Sequence, residues 1–250
     1  MLEVRNLRKS YGETLAISDI SFRVEPQEFV CVVGPSGCGK TTLLKCMSGL
    51  LPVSSGEVLL DGHRVDSPPQ SMALVFQEYG RSLFPWMTVR QNVAFPLSNR
   101  SLARNEMVRR VDEALAAVAL QDFAERHPWQ LSGGMQQRVA IARALAYRPE
   151  VLMMDEPFAS VDAQTRADLE DLILKVCREF EVTSVFVTHD IDESIYLGDR
   201  VLVLTTRPTV LKESVPIDLP RERDQIVTKA LPDFAQLRAH IYSLIRRPAD

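Results

Sequence analysis

Residues Gly34–Thr42 read GPSGCGKTT, and the fold follows from this stretch. It fits G-x-x-x-x-G-K-[ST], and its flanks supply the context that the pattern requires. Glu28–Val33, EFVCVV, is a short apolar run rich in β-branched residues, while Lys40–Leu50 continues helically. Glycines at 34, 37 and 39 let backbone N–H groups turn inward, and the helix start adds its partial positive charge. Such a loop is a site for anionic phosphate. Lys40 reaches the β- and γ-phosphates of a nucleotide, Thr41 offers its hydroxyl to Mg²⁺, and Thr42 bonds a phosphate oxygen.

The second half of the chemistry is VLMMDE at Val151–Glu156. Four apolar residues make a buried strand, and Asp155 and Glu156 emerge at its carboxyl end, where ligands bind in parallel sheets. Asp155 is expected to hold Mg²⁺ through water, and Glu156 to polarise the attacking water as general base. An acidic pair after a strand is otherwise a common helix cap; the phosphate loop favours the catalytic reading. Together these parts imply nucleoside triphosphate hydrolysis, without saying what it drives.

Around them the chain alternates strands and helices, which means an α/β fold with a mainly parallel sheet. LEVRNL and AISDISFRVE, with a turn at Tyr11-Gly12, have period-2 alternation; Gly56–Leu60 and Ala73–Gln77 are further short strands. Met107, Val111, Leu115 and Val118 have helical spacing, so a helical insert is expected over about 82–147. Strands return at Val151–Met154, Ser184–Thr188 and Arg200–Leu204. Between the first two, Leu169, Leu172, Ile173, Val176 and Phe180 line one helix face. The tail from Pro208 is punctuated by prolines and ends in a helix over Asp233–Ile245. One domain is expected: core and β subdomain over about 1–81 and 148–207, the insert, and a tail over 208–250.

The 250 residues include 46% hydrophobic and 25% charged, and Lys+Arg 29 against Asp+Glu 33 gives a net charge of −4. That balance fits an ordinary globular protein and argues against a general electrostatic grip on nucleic acid. No apolar run approaches the roughly 20 residues that span a bilayer. MLEVRNLRKSYGE has no signal-like apolar core, so the chain is expected to stay where it is made. Cys31, Cys38, Cys46 and Cys177 form no CxxC pair and read as reduced thiols. Cys38, inside the phosphate loop, is either a reactive thiol or a small residue that fits.

Leu131–Leu145 reads LSGGMQQRVAIARAL. Ser132 is a good N-cap, and Gly133-Gly134 expose N–H groups at a helix start. This is either an ordinary capped helix or a second anion site, one without a lysine or a metal ligand. Here the chain resembles the ATPase subunit of ABC transporters over almost its whole length. LSGGMQQ matches that family's signature, in order with the phosphate loop and VLMMDE. The resemblance implies a RecA-like P-loop core, an antiparallel β subdomain and an inserted helical subdomain.

It also implies a second ATPase subunit, expected as a homodimer arranged head to tail. Ser132, Gly133, Gly134 and Gln136 of one subunit then cover the γ-phosphate held by the other subunit's loop. ATP is bound by Gly34, Pro35, Ser36, Gly37, Cys38, Gly39, Lys40, Thr41 and Thr42. Tyr11 matches the aromatic that stacks on adenine. Gln77 matches the hinge glutamine that touches Mg²⁺ and water, so the metal set is Thr41, Gln77 and Asp155. His189 matches the switch histidine that bonds the γ-phosphate and orients Glu156. Asp162 matches the residue that communicates across the dimer. It follows Ala159-Ser160-Val161, where such importers usually carry G-A-L or S-A-L.

Within the family, the Leu-Phe-Pro-Trp core of Glu78–Leu97 looks like the nitrate, sulfonate and taurine importers. DEPF, DAQTR, THDIDE and Arg207-Pro208 point the same way. Phe84, Pro85, Trp86 and Met87 are then expected to contact an integral membrane permease; the alternative is a loop that tucks Phe84 and Trp86 into the insert's own core. The resemblance implies a peripheral protein at the cytoplasmic face of the inner membrane. It would serve an extracytoplasmic solute-binding protein indirectly and carry a small, anionic solute. Rival readings are a non-transport ABC ATPase acting on a soluble or nucleic-acid partner, a nucleotide-dependent scaffold that barely hydrolyses ATP, and an exporter cassette.

Overall fold

The structure is a computed structural model that describes residues 1–77 and 82–246. In chain order its strands and α-helices are β1 (Leu2–Tyr11), β2 (Thr14–Val24), β3 (Phe29–Val33), α1 (Lys40–Met47), β4 (Ser55–Leu60), β5 (His63–Arg64) and β6 (Met72–Val75). Then come α2 (Val89–Ala94), α3 (Arg104–Ala117), α4 (Gly133–Ala146), β7 (Val151–Asp155), α5 (Ala163–Glu179) and β8 (Thr183–Val187). The chain closes with α6 (Ile191–Leu197), β9 (Arg200–Leu204), β10 (Thr209–Pro216) and α7 (Pro232–Ile245). These elements divide into two compact units: Met1–Met72 with Thr183–Asp250, and Ala73–Val182.

In the first unit the strands run β5-β4-β1-β2-β10-β9-β3-β8. Strand β3 pairs in parallel with β8, Val32 opposite Val187, and with β9, Val33 opposite Val203. All five residues of β3 and of β8 are buried. Such unbroken apolar runs are what a parallel strand covered on both faces requires. Strands β1, β2 and β4 pair antiparallel and alternate, with Leu2, Val4, Leu7, Ile17, Ile20 and Val24 buried. Each such side chain contributes about 1.5–3 kcal/mol of transfer free energy.

The second unit carries β7, all five residues buried, with β6 beside it. Helices α2 to α5 complete it. Helix α5 buries Leu169, Ile173 and Val176, one face at helical spacing, and starts at the N-cap Asp162. All four cysteines are buried, and none is in a disulfide.

The sequence reading assigns no strand after Leu204, yet Thr209–Pro216 forms β10. It lies between β2 and β9, antiparallel to β9 and parallel to β2 at Thr209 and Ile17. It therefore joins the antiparallel strands to the parallel ones in one sheet. Its sequence, TVLKESVP, buries only Thr209 and Val215, so it lacks the apolar alternation that marks a strand.

Candidate functional site

In the first unit the phosphate loop follows β3, and its parallel neighbours end beside it. From β8 the chain passes through Thr188, whose N–H donates to Val32 C=O at 3.1 Å, to the exposed His189. From β9 it passes into a hairpin closed by Thr205 N–H on Val210 C=O at 3.1 Å. The loop, His189 and the hairpin thus share the carboxyl end of three adjacent strands, where such sheets bind ligands.

The loop's backbone carries the conformations that its glycines allow. Gly37 has φ 72° and Gly39, the N-cap of α1, has φ 112°. Both lie in the left-handed region that side chains other than glycine rarely enter. Lys40 is buried, and its Nζ donates to Gly34 C=O at 3.0 Å. The ammonium is held over the loop by its own backbone. Thr41 is exposed and Thr42 half-buried, and the Tyr11 hydroxyl lies 3.5 Å from Thr42 Oγ1. Tyr11 itself ends β1 half exposed, with Lys9 Nζ 5.2 Å from its ring centre.

Cys38 is buried, and burial pushes its thiol above the ordinary value while the Lys40 charge pulls it down. Its Sγ lies 3.1 Å from where a Cβ on Gly34 would stand. This is a small side chain filling a tight space, with little thiolate character.

In the second unit β7 ends at the buried Asp155. Glu156 follows at φ 43°, a left-handed conformation that a non-glycine residue holds only at a cost. The next functional candidate, Asp162, caps α5: its carboxylate accepts from Thr165 N–H at 3.0 Å and from the Thr165 hydroxyl at 2.7 Å. Those two bonds, the backbone one first, hold its pKa below the ordinary aspartate value. Gln77 is exposed at the end of the described run before residue 82.

Helix α4 begins at the glycine pair. Ser132 is its N-cap and accepts from Met135 N–H at 3.3 Å. Ser132 and Gly133 are exposed, so this 14-residue helix starts at the surface, without a lysine in its first turn. Gln136 donates from Nε2 to Pro128 C=O at 3.1 Å, tying the helix to the segment before it.

Of Glu78–Leu97, residues 78–81 lie outside the described residues. In the remainder Trp86 is 70% exposed, and the half-buried Phe84 contacts the rings of Trp86 and Phe95 at 5.4 and 4.6 Å. Sequence reading passes over two residues here. Asn92 is fully buried and holds the loop: its Oδ1 accepts from Phe84 N–H at 2.8 Å and its Nδ2 donates to Met87 C=O at 3.2 Å. Trp129 is also 70% exposed. Val89 N–H on Arg126 C=O, at 2.7 Å, brings the segments of the two tryptophans together. An asparagine inside a helix gives no such signal in sequence; an aromatic three residues before Ser132 could have been noticed.

Residues 17–159 match the family model described as ABC transporter. The chain is 45% identical over 249 residues to an uncharacterized ABC transporter ATP-binding protein of Methanocaldococcus jannaschii, covering 98% of this chain and 91% of that protein. It is 41% identical to the aliphatic sulfonates import ATP-binding protein SsuB of Bacillus licheniformis, covering 96% and 92%. It is also 41% identical to the nitrate import ATP-binding protein NrtC of Synechococcus elongatus, covering 94% of this chain and 36% of that longer protein. Among solved structures, CbiO1 of Clostridium perfringens, part of the transporter complex CbiONQ, superposes with a TM-score of 0.80 at 30% identity, covering 86% and 88%. A dimeric post-hydrolysis state of the ATP-binding cassette MJ0796 with ADP and Pi gives 0.74 at 32%, covering 87% and 99%.

Proposed function

We propose, from the premise that this chain belongs to the ABC transporter family, that it is the ATP-hydrolysing subunit of a membrane importer for a small anionic solute. Family membership makes it an ATP-binding cassette ATPase with a P-loop fold. The importer reading draws on the sulfonate and nitrate import proteins among its relatives. The observation that carries the proposal is the pair of unlike helix starts. One, at Gly39-Lys40, has a lysine; the other, at Ser132-Gly133, is capped, exposed and without one. A chain with one of each completes two nucleotide sites only with a second subunit.

In this reading Lys40 and the inward amides of the loop bind the phosphates, and Tyr11 stacks on adenine. Glu156 takes the proton of the attacking water, and His189 bonds the γ-phosphate and orients Glu156. Ser132, Gly133, Gly134 and Gln136 cover the γ-phosphate of the opposite subunit, and Asp162 communicates across the dimer. In this reading Mg²⁺ would be held by the Asp155 carboxylate, the Thr41 hydroxyl and Gln77, all groups with the hard oxygen donors that Mg²⁺ prefers. Among the described residues no three His, Cys, Asp or Glu gather to hold a metal. When bound, Mg²⁺ supplies neutralisation of phosphate charge.

ATP contacted by both subunits closes the dimer, and loss of the γ-phosphate contacts lets it reopen. The exposed Trp86, on the loop held by Asn92, is the contact to the permease. Among the described residues no helix is long and apolar enough to cross a membrane. By analogy with the importer relatives, the chain is placed peripherally at the cytoplasmic face. To test this, tagged Glu156→Gln protein is given ATP and Mg²⁺, native membranes are solubilised gently, and the co-purifying proteins are identified. A multi-spanning membrane protein is the expected companion. A nucleotide-bound dimer with only soluble partners would sink the importer reading and leave a non-transport ATPase.

A further inference from the structure

We propose that Thr209 is a positioning residue for the phosphate loop: its hydroxyl fixes the Cys38–Gly39 peptide so that the Gly39 amide faces the nucleotide. This deepens the reading of the loop given above and rests on it.

The geometry lies within the first unit. Thr209 begins β10 with no exposed surface, and its hydroxyl donates to the Cys38 carbonyl 171 residues away in sequence. Three contacts fix where that hydroxyl stands. Thr209 pairs with Ile17 of β2. Its neighbour Val210 donates from N–H to Thr205 Oγ1 at 3.0 Å and accepts from Thr205 N–H at 3.1 Å, closing the hairpin. The hairpin also meets the start of the loop: a Cβ on Gly34 would stand 3.0 Å from Leu204 C=O. A Cβ on Gly39 would stand 3.6 Å from Thr209 Oγ1 and 3.9 Å from Ile17 Cγ1. The stretch from Leu204 to Thr209 therefore underlies both ends of the loop.

A trans peptide points its C=O and N–H in opposite directions. With the Cys38 carbonyl held against β10, the Gly39 N–H turns away from the sheet. Gly39 at φ 112° is the position with the most freedom to rotate this peptide, because no side chain opposes it. A hydrogen bond is thus placed where the loop's own residue types supply no restraint. An amide aimed in advance at an anion costs no reorganisation when the anion binds.

The test compares Thr209→Val, which removes the hydroxyl at nearly constant shape, with Thr209→Ser, which keeps it. ATP affinity, ATPase KM and kcat are measured well below the unfolding transition of all three proteins. Loss of one hydrogen bond predicts that Thr209→Val binds ATP about three- to tenfold more weakly, with the change mainly in KM, and that Thr209→Ser stays near wild type. Wild-type affinity in Thr209→Val overturns the inference, as does an equal loss in both variants. Wild-type protein that fails to bind ATP overturns the reading of the loop, and the inference with it.

Discussion

Thr165 occupies the space that a side chain on Gly134 would need: a Cβ built there falls 2.4 Å from Thr165 Cγ2. The two residues belong to the first turns of α4 and α5, so packing calls for glycine at position 134. Gly134→Ala is expected to lower unfolding free energy, because overpacking costs about 1–3 kcal/mol while the gain in helix propensity returns only about 1 kcal/mol. Thr165→Ser removes the clashing methyl and keeps the hydroxyl that bonds Asp162. The double variant should recover wild-type stability or exceed it. Urea denaturation of the three variants decides this, and a Gly134→Ala protein more stable than wild type would refute the packing account.

Glu156 stores backbone strain at the position proposed for the general base. Its φ of 43° suits glycine, and glutamate there costs about 1–2 kcal/mol. Comparing Glu156→Gly with Glu156→Ala isolates the backbone, since both remove the carboxylate and its partners. The glycine variant is expected to be more stable by about 1 kcal/mol, or about 2–4 °C in Tm. Both should lose hydrolysis by a factor of about 10²–10⁴. Equal melting temperatures would mean that the backbone relaxes once the side chain is gone.

Asp162 gives the cap of α5 a dependence on acid. Its folded pKa lies below its unfolded value, so its contribution is complete above the unfolded pKa of about 3.9. It is lost as pH falls through the lower, folded value. Asp162→Ala should therefore be less stable than wild type near neutral pH, and the gap should close as pH falls through the folded value. Asp162→Asn, which still accepts from the helix, should be close to wild type near neutral pH. Thermal melts across this range provide the measurement; a gap that persists in acid would assign the loss to shape instead of charge.

Legibility in the sequence followed burial. EFVCVV, VLMM and RVLVL announce central strands because parallel strands covered on both faces need unbroken apolar runs. The fold class could be read from them and from the glycine-rich loop between strand and helix. Strand β10 could not: Lys212, Glu213 and Ser214 stand where an alternating pattern would be sought, and its pairing depends on backbone groups that composition does not reveal. The same limit applies to the site. Lys40, Asp155 and Glu156 sit in local motifs. Thr209 reaches Cys38 only through the topology, and Asn92 acts on a loop through bonds that leave no pattern in sequence. Glu156 shows the converse, a residue type legible in the motif whose left-handed backbone was not.

Gln137 presents an unpaid cost inside α4. It has no exposed surface, and among the described residues neither Oε1 nor Nε2 finds a hydrogen-bond partner. A buried amide left unsatisfied costs about 1–3 kcal/mol, whereas an apolar group of the same shape costs nothing comparable. Gln137→Met, nearly equal in volume and flexible enough to fit, is expected to raise unfolding free energy by that amount, read by urea denaturation. A less stable variant would mean that the amide is satisfied in solution. The ATPase rate of the same variant separates two origins of the cost. Higher stability with unchanged turnover makes Gln137 dispensable to the cycle. Higher stability with slower turnover means that the amide, three residues along the helix from Gly134 and the exposed Gly133 beside it, finds its partner in a state the cycle must pass through.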